Sequence, residues 1–443
     1  MSSYVKTFKE CERKQQELLE DPLPSSSQEL KRPGSRAVMT TWTITLSNIQ
    51  RKYPDSVRLL EFMSYINPDD IAKGLLRGLP FLKDETEVKF NKALAPLLRF
   101  SLIYRLKSAN FRLHRLVGLY IHRRMESEDQ LRRVALLETI FGLLYNAFPE
   151  DMAFVMQYLH LAAHASAALG HTADGYQYRP SGIGLLQKFG TFMVKSGDYG
   201  DGLVWLQRAL GGREKALEKD HPVTLTIVNN MAYTFDNQGE YGKALVWYQR
   251  ALDGREKALG KDHPDTLATV NNMANTYNSQ GEYGNAWIWY QRALNGCEKA
   301  LGKDHPVTLT IANNMACTYD NQGEYGKALV WYQRALDGRE KALGKDRPDT
   351  LATVNNMAST YNSQGEYGRA LVWFQRALDG CEKAPDTLAT LNNMANTYNS
   401  LGEYGKALEW LQRALDGCEK ALGKDHPVTL TVVNNMANTY NSQ

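Results

Sequence analysis

Between Leu225 and Phe235 the apolar residues Leu225, Val228, Met231, Ala232 and Phe235 recur at three- and four-residue spacing. That spacing puts them on one helical face. It predicts a helix from about Leu225 to Asn237, with Thr224 as its N-cap. The turn Gln238-Gly239-Glu240 follows, where Gly239 can take the positive φ that ends a helix. A second stripe, Ala244, Tyr248, Ala251 and Leu252, predicts a helix from about Tyr241 to Leu259. Gly260 stops it, and Pro264 bars its continuation.

The same hairpin then returns. Pro222 is echoed by Pro264, Pro306 and Pro348, each 42 residues after the last. The next copy opens early, at Pro385, because one Leu-Gly-Lys-Asp-His/Arg tail is missing, and Pro427 follows 42 residues later. One such unit cannot bury its apolar face alone, so a period of this length means a stacked solenoid.

Ala232, Phe235, Gly239, Tyr241, Ala244, Tyr248 and Ala251 resemble the tetratricopeptide repeat (TPR) signature. The longer unit, with its Asn-Asn-Met-Ala and Leu-Gly-Lys-Asp-His-Pro phrases, is similar to the repeats of kinesin light chains. The resemblance implies a mainly α fold, a TPR α-α superhelix whose first helices line a concave groove.

Upstream, residues 4–20 read as a short charged helix and 21–36 as a Pro/Ser-rich linker, giving an N-terminal segment 1–37. Helical patterns cover about Leu46–Arg51, Asp55–Ile66, Pro68–Leu79 and Val88–Phe100. Ser101 to Leu106, a Lys107–Asn110 turn and Phe111 to His114 then form a hairpin signal, and His114 to Met125 another helix. Residues 38–125 therefore predict a small winged-helix-like α/β domain. Residues 126–181 read as a helical connector. A degenerate first repeat at 182–221 keeps Leu186, Gly190, Met193, Gly197, Tyr199, Gly202, Leu206 and Ala209 in the signature slots. The array 222–443 holds five full repeats and a half repeat, and its stop at Gln443 reads as a truncated product.

The run from Thr41-Trp-Thr-Ile to Ile49, Leu59-Leu-Glu-Phe-Met-Ser and Phe111-Arg-Leu-His-Arg-Leu-Val117 resemble the winged-helix segment of fungal NLR-like (STAND, NB-ARC/NACHT–TPR) proteins. In that family an NTPase domain precedes it and TPRs follow. His114 matches the family's nucleotide-sensing histidine, here between Leu113 and Arg115. No Gly-x-x-x-x-Gly-Lys-Ser/Thr loop occurs in the sequence, so the resemblance makes His114 a vestigial nucleotide sensor.

Composition adds little direction. Hydrophobic residues make up 43% and charged residues 23%, and the net charge of +3 drives the chain toward neither nucleic acid nor membrane. No apolar run approaches the roughly 18–20 residues of a membrane span. Of five cysteines, Cys297, Cys381 and Cys418 fill the slot of Arg255 and Arg339 in sister repeats. A position that exchanges with arginine is expected on an exposed helix surface, so reduced thiols and a cytoplasmic setting are expected.

No catalytic constellation emerges, and neither an enzymatic role nor a cofactor is expected. His221, His263, His305 and His426 recur between Asp and Pro. They stand one per repeat, where Arg347 replaces one, and are expected as cations at the negative ends of second helices rather than metal ligands. The acids Asp236, Glu240, Asp253, Glu256 and Asp262 balance Lys243, Arg250, Arg255, Lys257 and Lys261, predicting ion pairs inside each repeat.

The first helices carry the informative positions. Thr226, Asn229, Asn230, Tyr233, Asp236 and Asn237 point away from the second helix of the first full repeat. The Asn pair recurs as Asn271 and Asn272, Asn313 and Asn314, Asn355 and Asn356, Asn392 and Asn393, Asn434 and Asn435. An amide side chain both donates and accepts, matching a peptide backbone. In TPR proteins the second Asn of such a pair is a peptide-contact position. The other reading makes one Asn a tie between neighbouring helices. The Tyr233 slot varies, becoming Asn275, Cys317, Ser359, Asn396 and Asn438, as though tuned for a partner.

The function expected is therefore a protein-interaction scaffold or ligand-sensing array that binds a protein or peptide in its groove, within a fungal NLR-like protein. A kinesin light chain-type cargo adaptor is the first alternative, although no long heptad region is present. Nucleic-acid binding is the second, resting on Arg105, Lys107, Arg112, Arg115, Arg123 and Arg124, with no acid between residues 101 and 125.

Overall fold

Each array repeat begins on a proline, which fits the first helical turn because its missing N–H would be unbonded there anyway. In the computed structural model the first helices run from that proline wherever it is described. The structure describes residues 33–83, 86–128, 130–148, 158–172, 178–380, 386–424 and 427–443. The charged helix expected at 4–20 and most of the 21–36 linker lie outside them. The linker's last four residues, 33–36, begin a helix instead.

The chain divides into two compact units, residues 1–212 and 213–443. In the first, α1 (Pro33–Lys52), α2 (Pro54–Ser64), α3 (Lys73–Arg77) and α4 (Glu87–Arg99) precede strands β1 (Ile103–Arg105) and β2 (Phe111–Leu113). The strands pair antiparallel with Tyr104 opposite Arg112, and Ala109 takes φ 64° in the turn. The helix expected over Pro68–Leu79 is shorter: Ile71 is extended and bridges to Phe111, adding a rung to the hairpin. Leu59, Phe62, Phe90, Leu97 and Phe111 fill the core between helices and hairpin.

Helices α5 (Arg115–Glu128), α6 (Gln130–Ala147) and α7 (Leu159–Gly170) lead to the degenerate hairpin α8 (Pro180–Lys195) and α9 (Tyr199–Ala216). There the crossing replaces alanine by Gly190 and Gly202. A Cβ at Gly190 would meet Leu206 Cγ at 2.9 Å, and one at Gly202 would meet Val194 Cγ2 at 2.6 Å. The eroded repeat thus keeps the close approach with smaller residues.

The second unit holds the array. Its first helices are α10 (Pro222–Asn237), α12 (Pro264–Ser279), α14 (Pro306–Asn321), α16 (Pro348–Ser363), α18 (Asp386–Ser400) and α20 (Pro427–Ser442). Its second helices are α11 (Tyr241–Leu259), α13 (Tyr283–Ala300), α15 (Tyr325–Ala342), α17 (Tyr367–Gly380) and α19 (Tyr404–Leu422). Gly239 has φ 75° and Gly260 φ 96° at the helix ends, as the sequence requires. Ala244, Tyr248, Ala251 and Leu252 are all buried against Leu225, Val228, Met231 and Ala232 of their repeat.

The N-cap is not Thr224. His221 caps α10, its Nδ1 accepting from Val223 N at 3.2 Å, and His263 and His305 repeat the bond. These rings therefore act as acceptors at helix starts, not as cations at helix ends; His426 lies outside the described residues. Thr224 is buried, and its hydroxyl donates to the Glu218 carbonyl.

The thiols differ from expectation as well. Cys297 and Cys418 are fully buried, and burial pushes the Cys297 thiol up to about 11. Arg255 and Arg339 are buried too. Arg255 Nη1 donates to the Asp265 carbonyl at 2.8 Å and Thr269 Oγ1 at 2.7 Å, and Nη2 to Thr226 Oγ1 at 3.3 Å. Arg339 makes the same three bonds to Asp349, Thr353 and Thr310. At Cys297 and Cys418 the slot of the facing threonine is held by an aliphatic residue. Cys297 packs in one cluster with Ile311, and Cys418 in another with Val432. The two kinds of repeat boundary are thus chemically distinct.

Most ion pairs cross those boundaries rather than closing inside a repeat. Arg250 meets Glu214, Arg292 meets Glu256, Arg334 meets Glu298 and Arg376 meets Glu340. Each guanidinium also lies over a tryptophan of its own helix, as Arg334 does over Trp331 at 5.2 Å. Lys257–Asp220, Lys299–Asp262 and Lys341–Asp304 form a second cross-repeat series. Lys243 with Glu240 follows the intra-repeat expectation.

Candidate functional site

Successive first helices pack against one another more closely than successive second helices do. This continuous first-helix side is taken as the inner face. Helical periodicity puts the Asn pairs on that side, between the buried stripe and solvent.

These amides are half-buried in most repeats; Asn313 is 9% exposed, and Asn434 is exposed. Several bond to one another across repeats. Asn314 Nδ2 donates to Asn271 Oδ1 at 3.2 Å, Asn393 Nδ2 to Asn355 Oδ1 at 3.5 Å, and Asn435 Nδ2 to Asn392 Oδ1 at 2.8 Å. The second Asn of one repeat thus ties to the first Asn of the repeat before. Asn356 Nδ2 instead approaches Cys317 Sγ at 3.9 Å. Asn229 Oδ1 and Asn313 Oδ1 are buried without a hydrogen-bond partner. An amide that spends one donor on its neighbour keeps a second donor and acceptor capacity.

The variable slot differs in access and bonding. Tyr233 is 48% exposed. Asn275 Oδ1 accepts from Tyr290 OH at 2.5 Å, and Ser359 Oγ donates to the Asn355 carbonyl at 3.1 Å. Cys317 Sγ accepts from Tyr332 OH at 3.1 Å, and burial raises its thiol pKa. Asn396 is half-buried and Asn438 exposed.

One turn on, Asp236 and Asp320 alternate with Asn278, Asn362 and Asn399. Asn399 Nδ2 donates to Thr439 Oγ1 of the next repeat at 2.7 Å. The two aspartates face the equivalent Thr276 and Thr360, and Oδ1 of each is buried without a hydrogen-bond partner. Burial raises both carboxyls above the ordinary aspartate value.

Other sequence candidates are placed elsewhere. His114 lies in the first unit, its ring 6.3 Å from Trp42, with Nδ1 buried and unbonded. Of the basic series, Arg112 and Arg115 are held by Asp69, Arg115 at 2.9 Å, and Arg124 by Gln50 at 3.0 Å. Those guanidiniums are engaged within the fold rather than free for phosphates. Among the described residues no group of three or more His, Cys, Asp or Glu gathers to hold a metal, and no helix is long and apolar enough to cross a membrane.

Sequence reasoning missed the buried Arg255 and Arg339, and the outward Val246, Ile288, Val330 and Val372, each 66–69% exposed. The exchange of Arg255 and Arg339 for Cys297, matched by Thr269 and Thr353 for Ile311 at the facing slot, is the available signal for the first.

Comparison with known proteins fits this geometry. Tetratricopeptide repeat models match residues 224–265, 265–341, 321–383 and 387–428. A domain of unknown function, DUF7779, matches residues 47–130, across the hairpin-bearing domain. A nucleotide-binding leucine-rich repeat (NLR)-like protein of Hyaloscypha variabilis is 32% identical over 235 residues, which are 52% of this chain and 23% of the relative. The chain thus spans less than a quarter of that relative's length. A STAND protein with a tetratricopeptide repeat sensor from Pyrococcus horikoshii has a similar fold, with a TM-score of 0.55 at 14% identity over 88% of this chain and 52% of that one. The TPR-like repeats of a putative kinesin light chain from Podosopora anserina align over 46% of this chain and 97% of theirs, at 19% identity and a TM-score of 0.40. Residues 224–428 are an array of tetratricopeptide repeats, in a chain similar to part of a fungal NLR-like protein.

Proposed function

We propose that the array is a non-catalytic, cytoplasmic interaction module that holds an extended segment of a partner protein along its first-helix face, as the sensing or scaffolding part of an NLR-like protein. The observation that carries this is the row of amide side chains on the inner face. The cross-repeat Nδ2–Oδ1 bonds fix several of these amides in orientation and leave each with hydrogen-bonding capacity unspent. A preorganised row of donors and acceptors suits a peptide backbone whatever its side chains. The variable slot, Tyr233 to Ser359, would then add preference for particular side chains.

The test uses two surface changes on opposite faces. A peptide selected against the full chain is titrated by fluorescence anisotropy against Tyr233→Ala and against Val330→Glu. Binding weakened several-fold by the first and untouched by the second supports the reading. The reverse pattern moves the site to the outer face and removes the proposal.

A further inference from the structure

The six first helices contain aspartates but no lysine, arginine or histidine: the only charged residues along them are Asp236, Asp265, Asp320, Asp349 and Asp386. The first-helix face therefore offers amides, hydroxyls and carboxylates, with no cation from its own helices. The array's arginines and lysines sit on second helices and loops, and those described are largely committed elsewhere. Arg250, Arg292, Arg334 and Arg376 hold glutamates of the preceding repeat. Lys243 and Lys327, at the turn end of the first helices, hold Glu240 and Glu324.

Asp236 and Asp320 stand two repeats apart on this face. The groups that act on Asp236 are Tyr248, Tyr290 and Thr276, and those on Asp320 are Cys317, Tyr332 and Thr360. None is a cation. Each carboxylate is held partly away from water with nothing opposite in charge, which is costly. A positive group brought to the face would offset that cost, whereas an incoming carboxylate would add to it.

We propose that the segment held in the first-helix groove is uncharged to basic, with lysine or arginine side chains placed to meet Asp236 and Asp320, and that acidic segments are rejected. This rests on the groove reading above and specifies its partner. The spacing follows from packing. Neighbouring helix axes lie about 8–10 Å apart, so two repeat steps along the first helices are about 20 Å. An extended chain covers that in about six residues at roughly 3.3 Å each. Basic residues six positions apart would thus reach both carboxylates.

A random dodecapeptide library displayed on phage, panned against the full chain and against its D236N/D320N double variant, tests this. Asn278 and Asn362 already occupy the same slot, so the fold accommodates the change. Wild-type pools should be rich in Lys and Arg, poor in Asp and Glu, and enriched for basic pairs about six apart. The double variant should still select peptides but lose that excess, and synthetic winners should bind it about five- to tenfold more weakly. Pools that are acidic or charge-neutral would overturn the charge preference while leaving the groove reading standing. No enrichment, or peptides insensitive to Tyr233→Ala, would overturn both.

Discussion

At the scale of single residues, the buried Arg255 is bound to its surroundings by three donors rather than by a salt bridge. Burial lowers its pKa, and Thr226 and Thr269 accept from it while donating to the carbonyls of Pro222 and Asp265. Arg255→Cys alone removes these three buried bonds and should cost about 1–3 kcal/mol. Adding Thr226→Ala and Thr269→Ile rebuilds the neighbouring boundary of Cys297, Ala268 and Ile311, and should recover most of the loss. Urea denaturation of the single, double and triple variants checks the coupling; additive losses would refute it. Asp236 follows a different logic. Its folded-state pKa lies above the unfolded value, so the folded state binds the proton more tightly. It therefore destabilises at neutral pH and ceases to as pH falls through the raised pKa. Asp236→Asn should stabilise by about 1 kcal/mol at pH 7, because the amide keeps a bond to Thr276, as Asn399 has to Thr439, without holding a charge away from water. Thermal melts should show the gain shrinking in acid; an equal gain at every pH would count against this.

At the scale of elements, two glycines of the second helix predict opposite outcomes. A Cβ at Gly338 would lie 2.4 Å from Leu309 Cδ2, so Gly338→Ala forces the two helices of the repeat apart at a cost of about 1–3 kcal/mol. Gly326 has nothing within 4 Å, so Gly326→Ala should gain about 0.5–1 kcal/mol from helix propensity. Chemical denaturation of the pair distinguishes packing from propensity. The helices themselves were legible because the apolar period, the Gly239 and Gly260 stops and the recurring prolines agree. The start of α10 was misplaced by three residues because the histidine cap uses Nδ1, outside the usual Ser, Thr, Asp and Asn set. Pro68 to Leu79 reads as helix by composition, but pairing of Ile71 with Phe111 pulls its first half into the hairpin. The exposed-thiol expectation fails because exchange with arginine does not require a surface: Arg255 and Arg339 are buried with both Nη atoms hydrogen-bonded and Nε unpaired.

At the scale of the whole molecule, the array is held by boundaries of two kinds. Arginine meets threonine at Arg255 and Arg339, and cysteine meets an aliphatic residue at Cys297 and Cys418. In a solenoid each repeat is stabilised by its neighbours, so boundary chemistry sets which repeats can follow which. The outer face is stitched by the Arg–Glu pairs and their tryptophans, while the inner face carries the amide row. That the Asn pairs recur on the first helices was legible in the sequence. That the amides bond to one another was not, since it depends on the exact stacking of repeats. The claim that this inner face grips a polypeptide is tested most directly by site-specific photo-crosslinking. A photoreactive residue is placed in turn at positions 233, 275, 317 and 359, or at 246, 288, 330 and 372, and a library-selected peptide is added. Crosslinks from the first set and none from the second are expected. Crosslinks confined to the second set would contradict the inner-face site.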